Sequence, residues 1–251
     1  MNTLYLAWRQ PDLRWWPVGR LSHEGAEFVF TYTRGALSAA SAGFRPLPSF
    51  PDFHEAYLSS ELFPLFANRL PPRTRPDYGD FVQWLDLGPG QADPMVLLAR
   101  SGGRRETDMF EVFPVPQRNA AGRYESAFFI HGLRHRGSAA EEEARNLRPG
   151  DPVMLEHEPE NPVDPHAVRV LTIVRGIHLG FVPRYLCEDV HALRAARRED
   201  LQAQVRRVNP PPTPAQFRVR CSLEAPWPAG FEPLASPDFE PLHSLVAAPH
   251  R

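Results

Sequence analysis

The chain has 251 residues, 42% of them hydrophobic and 23% charged, with a formal net charge of −2. This size favours two modest modules over one, and the composition excludes wholesale disorder. The 29 prolines, scattered along the chain, exclude a helical bundle, and no window approaches the roughly 18 uninterrupted apolar residues of a membrane span.

The first third reads as β structure. Leu4–Trp8, Trp16–Leu21 and Glu27–Thr33 are strand-like runs separated by turn signals at Gln10-Pro11-Asp12 and His23-Glu24-Gly25, which predicts an antiparallel meander. Phe44 to Phe53 alternates proline with apolar side chains, an extended crossing rather than a central strand. Helical spacing follows at Leu62, Phe63, Leu65, Phe66 and Leu70, where Pro64 fits only in the first turn, and again at Tyr78–Leu85. Asp93-Pro94 caps a third helix, Met95–Arg100, which stops at Gly102-Gly103, and a strand at Met109–Phe113 closes the module.

Residues 115–123 carry no periodicity and are read as a linker. Beyond it lie strand candidates at Ala127–Leu133, Val153–Glu156, Ala167–Val174, Ile177–Val182, Leu201–Val208 and Phe217–Leu223. In the last of these, Phe217, Val219, Cys221 and Leu223 share one face by the two-residue period of a strand. Arg175-Gly176 is predicted as a two-residue hairpin turn. Glu141-Glu142-Glu143 opens a short helix, and Pro183 opens a longer one through about Arg197 with Leu186, Val190, Leu193 and Ala196 inward. The expected fold class is mainly β with minor α: two small β modules, the second an OB/SH3-like, partly open barrel with one main helix. The expected divisions are 1–114, a linker at 115–123, the barrel at 124–226 and a Pro-rich tail at 227–251. That tail either docks by Trp227 and Phe231 or stays loose.

Charge narrows the function classes. All 28 basic residues are arginine, and acids balance them within 1–123 and within 124–226, so neither half has the excess of a protein that coats nucleic acid. Any DNA contact must be local. Cys187 and Cys221 do not form a CxxC pair and cannot alone complete a structural zinc site; they read as buried free thiols. The histidines His131, His157, His166, His178 and His191 show no i, i+4 pairing among themselves, so no metal and no cofactor are assigned. There is no Gly-x-Ser-x-Gly elbow and no glycine-rich phosphate loop, so no enzyme is expected. Met1 to Gln10 lack the cationic start and apolar run of a signal peptide, so the expected setting is cytoplasmic with no membrane partner. Arg194, Arg197, Arg198, Arg206 and Arg207 read as a solvated face near a helix end.

Four motifs occur in order: Phe129-Ile130-His131-Gly132-Leu133-Arg134-His135, Gly150-Asp151, Asn161-Pro162-Val163-Asp164-Pro165-His166, and Leu179-Gly180-Phe181-Val182-Pro183. Together they resemble a HIRAN domain over residues 124–226. The resemblance implies a barrel that captures single-stranded DNA or its 3′-hydroxyl end. On the matching positions it makes Asp164 the acceptor for the terminal hydroxyl, Asn161 the residue that shapes the loop, and Arg134 a phosphate contact, the alternative for Arg134 being a solvated strand-end arginine. His135, Phe181 and Arg184, beside these motifs, complete the candidate site. The end-binding relative carries tyrosines where His135 and Val163 stand, and stacking on an aromatic is worth about 1–3 kcal/mol per base. Phe181 is either a substitute stacking face or a core residue, and Asp164 is either the hydroxyl acceptor or the cap of its own turn.

In the first module, Leu4-Tyr5-Leu6, Val18-Gly19-Arg20-Leu21, Phe28–Tyr32, Phe63-Pro64-Leu65-Phe66-Ala67-Asn68-Arg69-Leu70-Pro71 and Asp93-Pro94 resemble the N-terminal β domain of HipA-type kinases. The resemblance implies a protein-interaction module, so a protein partner through residues 1–114 is expected beside the DNA. The rival reading is a regulatory partner of a kinase-toxin-like protein with no DNA binding.

Overall fold

A computed structural model describes residues 3–10 and 14–243, the side chain of Arg198 excepted. The turn signal at Pro11-Asp12 and the end of the Pro-rich tail, including Pro249, lie outside the described residues. Two compact units form. Among the described residues, one comprises 3–10, 14–79, 88–115 and 235–243; the other comprises 80–87 and 116–234.

The first unit is built on β1 (Thr3–Arg9), β2 (Trp15–Glu24), β3 (Glu27–Tyr32), β4 (Ala56–Ser59) and β5 (Phe110–Pro114). They form one antiparallel sheet in the order β4-β3-β2-β1-β5, so the expected meander is its centre. Helix α1 (Arg34–Ala40) follows β3 without a side-chain cap, and α2 (Pro64–Ala67) is a single turn with Pro64 in its first position. The helical spacing of 62–70 therefore yields four helical residues. Helix α3 (Tyr78–Trp84) runs into the segment that groups with the second unit. Helix α4 (Pro94–Ser101) has the expected N-cap: Asp93 accepts hydrogen bonds from the backbone N–H of Met95 and Val96. Gly102, left-handed at φ 75, ends it.

Segment 44–53 has one isolated bridge, Leu47 to Phe50, and is pinned by a buried phenol: Tyr32 donates to the Phe50 carbonyl and accepts from the Leu47 N–H, both at 2.7 Å. Burial pushes the Tyr32 hydroxyl up to about 12. Phe30, Tyr32, Phe44, Phe50 and Phe66 fill the core around it. Part of the tail belongs here as well. The Leu242 N–H donates to the Tyr32 carbonyl, and Phe239 packs on Tyr5, Trp15 and Phe113.

The second unit contains β6 (Gln117–Arg118), β7 (Tyr124–Phe129), α5 (Ser138–Asn146), β8 (Val153–His157), β9 (Val168–Thr172), β10 (His178–Phe181), α6 (Arg184–Arg197), β11 (Gln202–Val208) and β12 (Val219–Ala225). They make two antiparallel sheets, β10-β9-β8 and β11-β12-β7-β6. The sheets touch at two isolated bridges, His131 to Phe181 and Pro152 to Gln204, and no closed barrel forms among the described residues. Val219, Cys221 and Leu223 face the core as their period requires, together with Leu186, Val190 and Leu193 of α6.

Three local expectations change. Phe217 lies in a 3-10 turn before β12 rather than on the strand. Ala196 is exposed, and Cys187 takes the inward place. Arg175-Gly176 is not a two-residue turn: the loop spans Ile173–Gly176, closed by Gly176 N–H to the Thr172 carbonyl and Thr172 N–H to the Ile177 carbonyl. Both thiols are free and buried, as expected, and burial pushes Cys187 up to about 11 and Cys221 to about 12. The tail docks: Trp227 and Phe231 pack on Tyr124, and the Leu234 N–H reaches the buried Asp189 carboxylate at 3.1 Å. Residues 80–87 join this unit through Phe81 against Phe217 and Asn209 Nδ2 donating to the Trp84 carbonyl.

Candidate nucleic-acid interface

The site is organised by the bridge between the two sheets of the second unit. His131 and Phe181 exchange both backbone hydrogen bonds at 2.9 Å. Gly180 permits this approach. Its φ is 142, and a Cβ there would stand 2.3 Å from the His131 carbonyl oxygen and 2.7 Å from Ile130 Cγ2. The Leu-Gly-Phe sequence is thus a steric requirement of the crossing. Gly132, at φ 79, then turns the chain into a 3-10 turn, Leu133–His135. Leu133 is buried, so Arg134, His135 and Arg136 stand outward.

Phe181, the last residue of β10, is half-buried and outside the hydrophobic core. The Arg136 guanidinium carbon lies 5.2 Å from its ring centre, and the His178 ring meets it edge-on at 4.9 Å. His178 Nε2 sits 3.0 Å from the Gly180 carbonyl, a bond the imidazole can make only as donor. Burial and then the Arg136 charge lower the His178 pKa, which favours the neutral ring. Arg134 Nε donates to His135 Nε2 at 2.9 Å. Among the described residues neither Arg134 nor Arg136 pairs with a carboxylate, so the turn presents uncompensated positive charge beside an aromatic face.

The second part is the loop Asn161–His166. Asn161 Oδ1 accepts from the Val163 and Asp164 N–H groups at 3.0 and 3.1 Å, and its Nδ2 donates to Glu158 Oε2 at 2.6 Å. Asn161 thus ties the loop to itself and to Glu158. Asp164 Oδ1 accepts the His166 N–H at 2.8 Å and meets the Arg184 guanidinium, and its side chain is 16% exposed. The acid is therefore the cap of its own turn and the partner of a cation. Arg184 is engaged by Asp164 instead of standing open for a phosphate; burial lowers its pKa. From the far side, His157 Nε2 lies 2.8 Å from the Pro165 carbonyl, and His191 Nε2 lies 3.0 Å from the His166 carbonyl.

The structure thus sorts the six candidate residues into two groups. Arg134, His135 and Phe181 share the bridge and its turn, with Arg136 and His178, which sequence reasoning missed. Asn161, Asp164 and Arg184 share the loop. Arg136 directly follows Arg134-His135, but its role depends on Phe181, 45 positions away, and nothing local signals that. The five arginines read as one solvated face do not form one face. Arg194 donates to the Leu155 carbonyl at 3.0 Å and Arg197 pairs with Asp200, whereas Arg206 and Arg207 meet Asp86; the Arg198 side chain lies outside the described residues. Among the described residues no three His, Cys, Asp or Glu side chains are grouped to hold a metal ion, and no helix is long and apolar enough to cross a membrane.

Comparison with known proteins supports part of the expected kinship. The crystal structure of the HIRAN domain of human HLTF is 17% identical, with a TM-score of 0.31, over 40% of this chain and 74% of that one. A crystal structure of a protein from Lactobacillus plantarum is 21% identical, with a TM-score of 0.33, over 41% of this chain and 97% of that one. No curated protein matches. The HipA-like expectation for residues 1–114 finds no support in these comparisons. Residues 124–227 match the family model of the HIRAN domain, a domain known in nucleic-acid binding.

Proposed function

We propose that the HIRAN module binds single-stranded DNA at its 3′ end, with the Phe181 face holding the terminal base and the Arg134–Arg136 turn holding the last phosphates. The observation that carries this reading is the Arg136–Phe181 pair. A guanidinium plane and a phenyl ring 5.2 Å apart supply two flat surfaces. They stand in for the stacking positions that His135 and Val163 do not fill, and both flat groups take bases without reading sequence. Val163, 53% exposed, lies within the polar loop.

The loop supplies end recognition. The Asp164 carboxylate, which caps the turn and meets Arg184, keeps acceptor capacity for a terminal hydroxyl, and its charge repels a terminal phosphate. The test is fluorescence anisotropy on the full chain with one labelled strand ending in 3′-hydroxyl or 3′-phosphate. The hydroxyl-ended strand binds more tightly, and Asp164→Asn, which keeps an oxygen to cap the turn, narrows the difference. Equal binding of both strands by the unsubstituted protein contradicts end recognition.

A further inference from the structure

The solvent face of the β11–β12 ladder gathers three arginines around one acid. Arg220 Nη1 lies 2.8 Å from Asp86 Oδ2, Arg206 Nε 3.5 Å from the same oxygen, and Arg207 Nη1 3.5 Å from Oδ1. Asp86 itself is unusual. It follows α3 in the left-handed region, at φ 59, in the place where a helix end normally takes glycine. Its N–H closes on the Gln83 carbonyl and the Leu87 N–H on the Val82 carbonyl. Aspartate is among the few residues with a Cβ that enter this region readily, so the position accepts the carboxylate.

Two adjacent strand residues ordinarily point to opposite faces. Here they do not, because β11 is bulged. Val205 pairs with Cys221 and Arg207 with Arg220, which leaves Arg206 as the extra residue and turns both arginines toward Asp86. One buried arginine is enough to neutralise one carboxylate, and Arg220, 7% exposed, is placed to do so. Arg206 and Arg207 stand at distances longer than the 2.7–2.9 Å of a charge-assisted hydrogen bond, and they are 55% and 31% exposed. A cavity of about 290 Å³ opens beside Arg206, lined also by Gln204, Ser222, Gly150 and Asp86. Asp86 is the one acid among its described lining residues. Three guanidinium groups around one carboxylate leave positive charge in excess beside a cavity larger than a phosphate group, although Arg206 alone of the three lines it.

We propose that this cavity binds a phosphate-type oxyanion, held by the Arg206 guanidinium with Gln204 and Ser222 as neutral donors, while Arg207, bonded to Asn209 Oδ1 at 2.7 Å, adds its charge from outside the lining. The planar fork of arginine suits two oxygens of one phosphate. The site shares no residue with the Phe181 face or the Asp164 loop, so it stands or falls separately from end recognition. The phosphate belongs either to a small molecule or to the backbone of a strand, and two probes distinguish these.

The first probe is inorganic phosphate, followed by ³¹P line broadening with the full chain at low salt. The second is a labelled circular single strand, which has no terminus for the other site, followed by anisotropy. Arg206→Gln weakens phosphate binding about tenfold, the scale of one lost charge-assisted contact, while Arg206→Lys retains most of it. Arg197→Gln, which removes the same charge from a side chain 70% exposed elsewhere on the module, leaves it unchanged. A parallel loss on the circular strand assigns a backbone phosphate. Phosphate binding without circular-strand binding assigns a small phosphorylated ligand, and both outcomes support the site. Failure of the unsubstituted protein to bind phosphate, or equal binding by Arg206→Gln, overturns it.

Discussion

The Asn161–His166 loop and the Leu133–Arg136 turn both belong to motifs that carry the HIRAN resemblance, yet they use their polar groups in opposite ways. The loop satisfies itself. Asn161 bonds two N–H groups and Glu158, Asp164 caps the turn and meets Arg184, and two imidazoles sit against the Pro165 and His166 carbonyls. The turn satisfies little of itself and leaves Arg134 and Arg136 without an acidic partner among the described residues. A motif residue can therefore serve shape or contact, and the distinction lies in its partners. Loss of a shaping residue should register first as stability, and loss of a contacting residue as affinity.

The largest effect is expected where both regions depend on one backbone crossing. Gly180→Ala places a Cβ 2.3 Å from the His131 carbonyl, and the strands must separate to admit it. Loss of about 3 kcal/mol or more is expected, read as a lower midpoint in urea unfolding, with strand binding lost alongside. A midpoint within error of the unsubstituted protein would show that the crossing does not need glycine.

Much of the scaffold beneath this comparison is legible in the sequence, for physical reasons. Val219, Cys221 and Leu223 alternate with Arg220 and Ser222, and one buried face follows from that period. Asp93-Pro94 and Gly102 bound α4 because cap chemistry is local. Helix α1 is not signalled, because Thr33 at its N-cap reads as the end of a strand run and gives its hydroxyl to the Pro17 carbonyl, and Arg34–Ala40 has little apolar period. Strand β4 was missed because four residues, Ala56–Ser59, are too short to establish alternation. For the site, the sequence indicates which segments matter and is silent on which polar groups are already taken. Arg184 engages Asp164 from 20 positions away, and Arg136 covers Phe181 from 45. A bulge between Val205 and Arg207 leaves no mark in a list of alternating residues.

The next effect sharpens the comparison by separating pH from ligand. Asp189 is 4% exposed, held by the Tyr124 hydroxyl at 3.0 Å and the Leu234 N–H at 3.1 Å, and burial raises its pKa from 3.8 to about 6. The folded chain therefore favours the protonated acid. That contribution is complete below about pH 4 and is lost as pH rises through about 6, so this group makes the protein less stable at neutral pH. The difference is on the order of 2–3 kcal/mol. Asp189→Asn should flatten thermal stability between pH 4 and 6. An unchanged slope would mean that another group carries it.

Asp164→Ala is expected to cost about 1 kcal/mol of stability through the lost turn cap, whereas Asp164→Asn costs less because its amide oxygen still accepts the His166 N–H. Equal losses by thermal unfolding would place the acid's value in the Arg184 pair instead. Smallest is Arg134→Gln, which leaves folding within about 0.5 kcal/mol and lowers the salt slope of strand binding by roughly 0.7, the amount for one phosphate contact on a single strand. An unchanged slope would remove Arg134 from the phosphate path.

The most direct measurement is the affinity of the full chain for one mixed-sequence single strand, with Phe181→Ala compared to the unsubstituted protein at the same salt. Loss of one stacking face should weaken binding by about 5- to 150-fold, or 1–3 kcal/mol, while the urea midpoint falls much less than in Gly180→Ala. Undiminished affinity in Phe181→Ala would contradict the claim that the Arg136–Phe181 face holds the strand.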